Sequence, residues 1–118
     1  MDLFDTTQLA LERASQGVSL RQRTVAENLA NANTPGYRRR DVEFHDALGS
    51  AMSGGKSSLK SVQFSPDVDR TAPVRGDGSN VDIDKEQSTM AQVALEYDAL
   101  VQIMKVRVQI MRSAITGQ

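Results

Sequence analysis

The sequence predicts a mainly α fold in which long N- and C-terminal helices pair as an α-helical coiled coil around an irregular middle segment, with room there for a short β-hairpin. Residues 1–33 contain one Gly and no Pro, residues 84–116 contain neither, and residues 34–83 contain six Gly and all three Pro. Apolar residues at both ends recur at helical spacing. A chain of 118 residues is expected to form one domain. We therefore divide it into 1–33, 34–83 and 84–118.

The N-terminal helix is predicted from apolar residues at seven-residue intervals. These are Phe4, Leu11, Val18, Val25 and Ala32. Gly17 in the middle of this segment disfavours a helix by about 1 kcal/mol relative to Ala. We therefore expect this helix to need a packing partner, which it contacts through Leu11, Val18 and Val25.

The C-terminal helix has the stronger periodicity, because eight apolar positions follow one another in alternating steps of four and three. They are Met90, Ala94, Tyr97, Val101, Met104, Val108, Met111 and Ile115. We predict that they form the helix-packing interface. Asp84 is predicted to be the N-cap with Gln87 at the N3 position, and Gly117 the left-handed residue that ends the helix.

A second apolar stripe runs beside the first on the C-terminal helix. It consists of Val93, Leu100, Ile103, Val106 and Ile110. Because a helix in a two-helix hairpin needs only one apolar face, this broad face indicates contacts with other molecules.

The middle segment has no clear period. Its Ser- and Gly-rich part, residues 50–61, is typical of a flexible loop. Short extended pieces are predicted at residues 62–64 and around Val74, with a turn at Asp77-Gly78 that leads to Val81. Any β-structure here is expected to be small.

The most informative run spans residues 28–37. Pro35 and Gly36 suit the two central positions of a type II turn, and Thr34, which precedes Pro, should end the helix by about Asn33. The asparagines of the run are expected to bond to backbone near the helix end and on a neighbouring segment, and Tyr37 to close over the turn. Considered as residues alone, this run is better explained as an ordinary helix stop.

This run resembles the N-terminal motif of the flagellar axial proteins, the family of rod, hook and hook-associated proteins, in which an Asn-apolar-Ala-Asn core precedes Thr-Pro-Gly-Tyr or Phe. A second block, residues 77–86 followed by Met90-Ala91 and 95–97, resembles the start of the C-terminal helix in proximal rod members, although Ser79 stands where the family more often has Asn. The resemblance implies an assembly motif. Its residues here are Asn28, Leu29, Asn31, Thr34, Pro35, Gly36 and Tyr37.

The resemblance also implies a function. It predicts a non-enzymatic structural subunit of the bacterial flagellar basal-body rod, in its proximal part, which self-assembles with other axial proteins into the helical drive shaft that transmits torque. The implied partners are other rod subunits and basal-body proteins, copies of this chain, and the flagellar type III export apparatus. The implied location is the basal body in the periplasmic space, reached without a cleavable signal peptide.

Other classes of protein find little support in the residues. The chain has no Cys, and its one histidine, His45, has no second His or ordered set of ligands near it, so we predict no catalytic, cofactor-binding or metal-binding residues. No small-molecule substrate and no membrane span are predicted. A small helical adaptor or binding module, or another rod member of the same family, stays open as an alternative.

Arg38-Arg39-Arg40 is the one basic run. Acidic residues follow it immediately and the formal net charge of the chain is -1, so we predict no nucleic-acid partner. In an assembled rod we expect these arginines to pair with acidic residues of a neighbouring subunit, and such pairs affect register more than affinity.

Overall fold

The computed structural model describes the backbone of residues 2–117 and the side chains of residues 6–117, so the predicted packing of Phe4 lies outside the described side chains. The elements in chain order are α1 (Asp2–Ala30), β1 (Arg40–Asp41), α2 (Phe44–Ser53), α3 (Lys56–Ser61), β2 (Asp67–Val68) and α4 (Ile83–Thr116). The prediction of a mainly α fold with two long, mutually packed helices and a short antiparallel sheet is confirmed. None of the described helices is long and apolar enough to cross a bilayer.

Helices α1 and α4 run antiparallel, because Asn28 bonds to Glu86 at one end of the pair while Val18 packs against Val93 further along. Helix α4 begins two residues earlier than predicted. Asp82 is its N-cap, and its carboxylate accepts bonds from the backbone N–H groups of the next turn, at 3.0 and 3.3 Å. The predicted cap at Asp84 is therefore wrong; Asp84 lies in the first turn, where a negative charge favours the helix dipole.

The end of α4 agrees with its prediction. Gly117 follows the last helical residue with a φ of 72°. Its backbone N–H donates to the carbonyl of Ser113 at 2.9 Å, which satisfies one of the free carbonyl groups of the last turn.

The core lies where the middle segment meets both long helices. Val18 of α1 and Val93 of α4 pack with two residues of the middle segment, Val42 and Phe44, and all four are buried. Leu20, Phe64 and Leu100 pack against this cluster. The placement of Val93 and Leu100 on an intermolecular surface is therefore wrong, because the middle segment covers this part of α4 within the chain.

Residues 50–61, interpreted as a flexible loop, largely form helix instead. They contain the last four residues of α2 and all of α3, which bury Ala51 and Leu59 respectively. Arg13 of α1 holds the end of α3, because its guanidinium donates to the carbonyls of Leu59 (2.9 Å) and Lys60 (3.1 Å). Two widely spaced apolar anchors and contacts from a distant arginine thus order a segment whose local composition favours a loop.

The two-stranded sheet is not where the sequence placed its hairpin. β1 pairs with β2 in antiparallel register, Arg40 opposite Val68 and Asp41 opposite Asp67. Phe64, in one predicted extended piece, instead makes an edge-to-face contact with Phe44, with ring centroids 6.3 Å apart. The turn at Asp77-Gly78 does form, closed by a bond from Gly78 N–H to Arg75 O (2.9 Å), but it connects no strands.

Gly17 allows Phe44 to approach the middle of α1. A Cβ atom at position 17 would lie 2.8 Å from three atoms of the Phe44 side chain. We expect Gly17→Ala to lower the free energy of unfolding by about 1–3 kcal/mol, although Ala is the better helix former, because overpacking displaces Phe44. Urea unfolding followed by circular dichroism measures this.

Gly49→Ala is the matched control, since Gly49 also lies inside a helix but a Cβ there meets no atom within 4 Å. This variant should gain up to about 1 kcal/mol. Equal stabilisation by both substitutions would contradict the packing role of Gly17.

Candidate functional site

Residues 28–37, which we call the turn motif, contain the end of α1 and the predicted turn at Pro35-Gly36. Tyr37 N–H donates to Thr34 O at 3.2 Å, and Gly36 has a φ of +77°, so both the closing bond and the left-handed residue of a type II turn are present. Gly36 N–H in turn donates to Asp77 O at 2.9 Å. A Cβ at Gly78 would lie 3.2 Å from the Gly36 Cα, so the two turns pack backbone against backbone.

Asn28 binds the segment that follows this turn. Its Oδ1 accepts bonds from Arg40 N–H (3.0 Å) and from the Tyr37 hydroxyl (3.1 Å). Its Nδ2 donates to Arg40 O (2.7 Å) and to Glu86 Oε2 (3.2 Å). The buried Asn28 amide therefore hydrogen-bonds the backbone N–H and C=O of Arg40, on the edge of β1 that faces away from β2, as a third strand would. Burial raises the pKa of the Tyr37 phenol, which keeps it protonated as a donor.

Asn80 binds the same segment from its other side. Its Oδ1 accepts a bond from Arg39 N–H at 2.6 Å, and its Nδ2 donates to Asp69 O at 2.8 Å. The amide is interposed between the two strands at the point where the ladder would otherwise continue. Its own backbone N–H donates to Tyr37 O at 3.3 Å. Two buried asparagines, one near the end of α1 and one near the start of α4, thus hold residues 37–41 between them.

A cluster of charged side chains lies beneath this segment. Arg39 bonds through Nε to Glu86, donates through Nη1 to Asp69 at 2.6 Å, and places Nη2 3.6 Å from Asp41. Asp41 also receives two bonds from Arg21 of α1, at 2.9 and 3.3 Å. The Glu86 side chain is only 1% exposed. We call these five residues the ionic cluster; it joins α1, β1, the loop after β2 and α4.

The pKa values of the cluster follow its contacts. Burial alone would lower the pKa of Arg39, but the bonds to Glu86 and Asp69 outweigh it and raise the pKa above its ordinary value. Bonds from the hydroxyl and the backbone N–H of Thr71, together with Arg39, hold the pKa of the Asp69 carboxyl well below its usual range. Arg39 and Asp69 are therefore both charged at neutral pH.

Arg75 ties the end of α1 to the start of α4. Its guanidinium donates to the carbonyl of Ala32, just after α1, and to the carbonyl of Val81, just before α4, the latter at 3.2 Å. It also lies 3.4 Å from the Asp77 carboxylate. The junction of the two long helices is thus closed by directional polar bonds.

The predicted assembly-motif residues divide into two groups. Asn28 and Tyr37 bond inward, and Leu29 is half-buried. Asn31 acts locally: it donates to Glu27 O (2.9 Å), and its Oδ1 accepts a bond from the Thr34 hydroxyl (3.2 Å). The exposed residues are Thr34, Pro35 and Gly36. The structure therefore uses part of the motif to hold the fold and leaves the tip of the turn on the surface.

The predicted helix-packing residues also divide. Val18 and Val25 are buried in α1. Those that are partly buried are Leu11, Met90, Ala94, Val101 and Met104. Those that are exposed are Tyr97, Val108, Met111 and Ile115. The apolar face of α4 thus passes from partly buried near its start to exposed toward its C-terminal end.

The sequence reasoning assigned no individual role to Arg39, Asp69, Asn80 or Glu86. A signal existed for Glu86, because it lies seven residues before Val93 and therefore on the buried face of the same helix. No local signal distinguishes Asp69 and Asn80, whose roles depend on β1.

Comparison with known proteins identifies this arrangement. The chain matches the family described as flagella basal body rod protein over residues 9–38, which include most of α1 and the turn motif. It is 32% identical over 127 aligned residues to the flagellar basal body rod protein FlgB of Bacillus subtilis (strain 168), covering 99% of this chain and 98% of that protein. The fold and its turn motif thus define a rod protein of the flagellar basal body.

Two further relatives agree over almost their full lengths. FlgB of Escherichia coli (strain K12) is 29% identical, over 98% of this chain and 91% of that protein. FlgB of Salmonella typhimurium is 28% identical, over 98% of this chain and 99% of that protein. The chain belongs to the flagellar basal body rod protein FlgB family.

Proposed function

We infer that this chain is a structural subunit of the flagellar basal-body rod that self-assembles with other axial proteins into the helical drive shaft transmitting torque. The observation that carries this inference is the similarity to FlgB proteins along nearly the whole chain. The role is mechanical and requires no catalysis. We assign the chain to the proximal part of the rod.

The exposed apolar side chains of α4 support an assembly role. Its C-terminal half exposes Ile103, Val106, Val108, Ile110, Met111 and Ile115. Ile115, at 85%, is the most exposed of them. Contiguous apolar surface of this kind is typical of protein interaction sites. Each such side chain contributes about 1.5–3 kcal/mol when a neighbour buries it fully.

We propose that the exposed part of the predicted helix-packing interface and the tip of the turn motif contact other subunits. The proposed partners are copies of this chain, other rod subunits and further basal-body proteins. We propose the periplasmic space as the place of assembly and the flagellar type III apparatus as the export route.

Val108→Asp tests the interface. Val108 is 50% exposed, so the monomer should stay folded, whereas burial of a carboxylate against a neighbour disfavours assembly. We expect the variant to be absent from purified basal bodies and its cells not to swim. Gln102→Asp, which adds the same charge at another exposed position of α4, should assemble and swim normally.

Normal incorporation of Val108→Asp would contradict this interface. Sizing chromatography with circular dichroism tests the adaptor alternative: a rod subunit should associate and gain helicity as its concentration rises. A cooperative, fully helical monomer at every concentration would favour the adaptor.

A further inference from the structure

The inner and outer faces of the two-stranded sheet carry different charges. The register pairs Arg40 with Val68, and the bond from Asp69 N–H to Arg39 O (2.9 Å) continues it by one position. Beyond this bond the Asn80 amide joins Arg39 N–H to Asp69 O, so Arg38 and Arg70 flank the end of the sheet without being paired in it. Since side chains alternate along a strand, Arg39 and Asp69 share the inner face, and Arg38 and Arg70 share the outer one.

The inner and outer pairs differ in how their charges are balanced. Arg39 and Asp69 form an ion pair within the ionic cluster. Arg38 and Arg70 are both exposed, and within the described part of the chain neither guanidinium has an ion-pair partner. Two exposed positive charges at this end of the sheet are thus left uncompensated within the described part of the chain.

The neighbouring residues extend this surface. Arg40, two residues after Arg38 on the same face, lies 3.1 Å from the exposed Glu27 carboxylate. Val68, opposite Arg40, is 43% exposed and adds an apolar side chain. We call Arg38, Arg40 and Arg70 the arginine patch; among the described residues, Arg40 pairs with Glu27, while Arg38 and Arg70 have no ion-pair partner.

We propose that the arginine patch binds a carboxylate-bearing segment of an adjacent protein subunit in the rod, an inference that rests on the proposed function. Guanidinium groups bind carboxylates through two parallel hydrogen bonds, so the two exposed arginines favour a segment that carries acidic side chains. The exposed Val68 favours a protein surface, since an apolar side chain has no role toward a free anion. Such contacts set the orientation of a neighbour more than the strength of its binding.

The test replaces both unpaired arginines, as Arg38→Glu/Arg70→Glu, in a tagged chain and measures its amount in purified basal bodies. We expect incorporation to fall at least about tenfold, because like charges across an interface strongly disfavour binding. The melting temperature of the purified variant should stay the same, because both substituted side chains are exposed. Lys60→Glu, which reverses an exposed charge on α3, is the control and should incorporate normally.

Several outcomes would overturn the proposal. Normal incorporation of the double variant, while Val108→Asp is excluded, would remove the patch as a contact and leave the proposed function intact. Absence of the unmodified chain from basal bodies would overturn both. Patch-dependent sedimentation of the purified chain with phosphatidylcholine–phosphatidylglycerol vesicles, with unchanged incorporation, would assign the patch to lipid instead. If the double variant unfolds, Arg70→Gln must still reduce incorporation while preserving the melting temperature.

Discussion

Arg39→Met should lower the free energy of unfolding by about 3–5 kcal/mol, because it leaves the carboxylate of Glu86 buried without its cation. Asp69 and Asp41 would lose the same guanidinium, which adds repulsion among three acids. Urea unfolding at neutral pH, followed by circular dichroism, measures the loss. Partial unfolding of the variant in buffer would itself be an expected result, since whole domains are stable by only about 5–15 kcal/mol.

Arg38→Met is the matched control, because it removes the adjacent arginine from the exposed face. Its effect should stay within about 0.5 kcal/mol. The double variant Arg39→Met/Glu86→Leu should recover much of the stability, since an apolar pair can replace a buried ion pair. Equal effects of the two Met substitutions would show that the ionic cluster does not hold the fold.

Asn28→Ala should lower the free energy of unfolding by about 2–4 kcal/mol. The substitution removes both partners of the Arg40 backbone and one partner each of Tyr37 and Glu86. Buried polar groups without partners each carry a penalty of about 1–3 kcal/mol, and some of them regain water. Besides urea unfolding, hydrogen exchange at the Arg40 amide should report the loss, because that N–H loses its acceptor.

Asn33→Ala provides the comparison, since Asn33 belongs to the same motif but is exposed. It should change stability by no more than about 0.5 kcal/mol. Asn28→Asp should also destabilise: it keeps acceptors for Arg40 and Tyr37 but sets a carboxylate beside Glu86. A stability loss at Asn33 equal to that at Asn28 would refute the assigned role of Asn28.

The long helices could be predicted because their signal is local and repeated. Seven-residue spacing and the absence of Gly and Pro persist over several turns at each end. The shorter helices and strands could not be predicted in this way, because their stability comes from tertiary contacts. The middle segment is held by two contacts with α1: Arg13 bonds to the Leu59 carbonyl, and Phe44 packs in the space at Gly17.

The candidate site was predictable in part for the same reason. The turn at Pro35-Gly36 follows from two residues whose backbone preferences are local. Asn28 lies in the same run, where the asparagines were expected to bond to backbone groups. The start of α4 was misplaced because Asp82 and Asp84 are both suitable caps, and the buried Val81 that precedes Asp82 has no local signature. Arg39 is the same residue type as its two neighbours in the sequence. Only the pairing of β1 with β2 places its side chain on a different face from theirs.

The bond between Asn28 and Glu86 has a consequence for the order of folding. It joins residues 58 positions apart, and the contact from Arg39 to Glu86 spans 47. Closing a loop of that length costs on the order of 4 kcal/mol of chain entropy before any contact compensates for it. Neither end of the chain can complete this junction alone, so the bonds of Glu86 to Asn28 and Arg39 can form only after both ends of the chain are present.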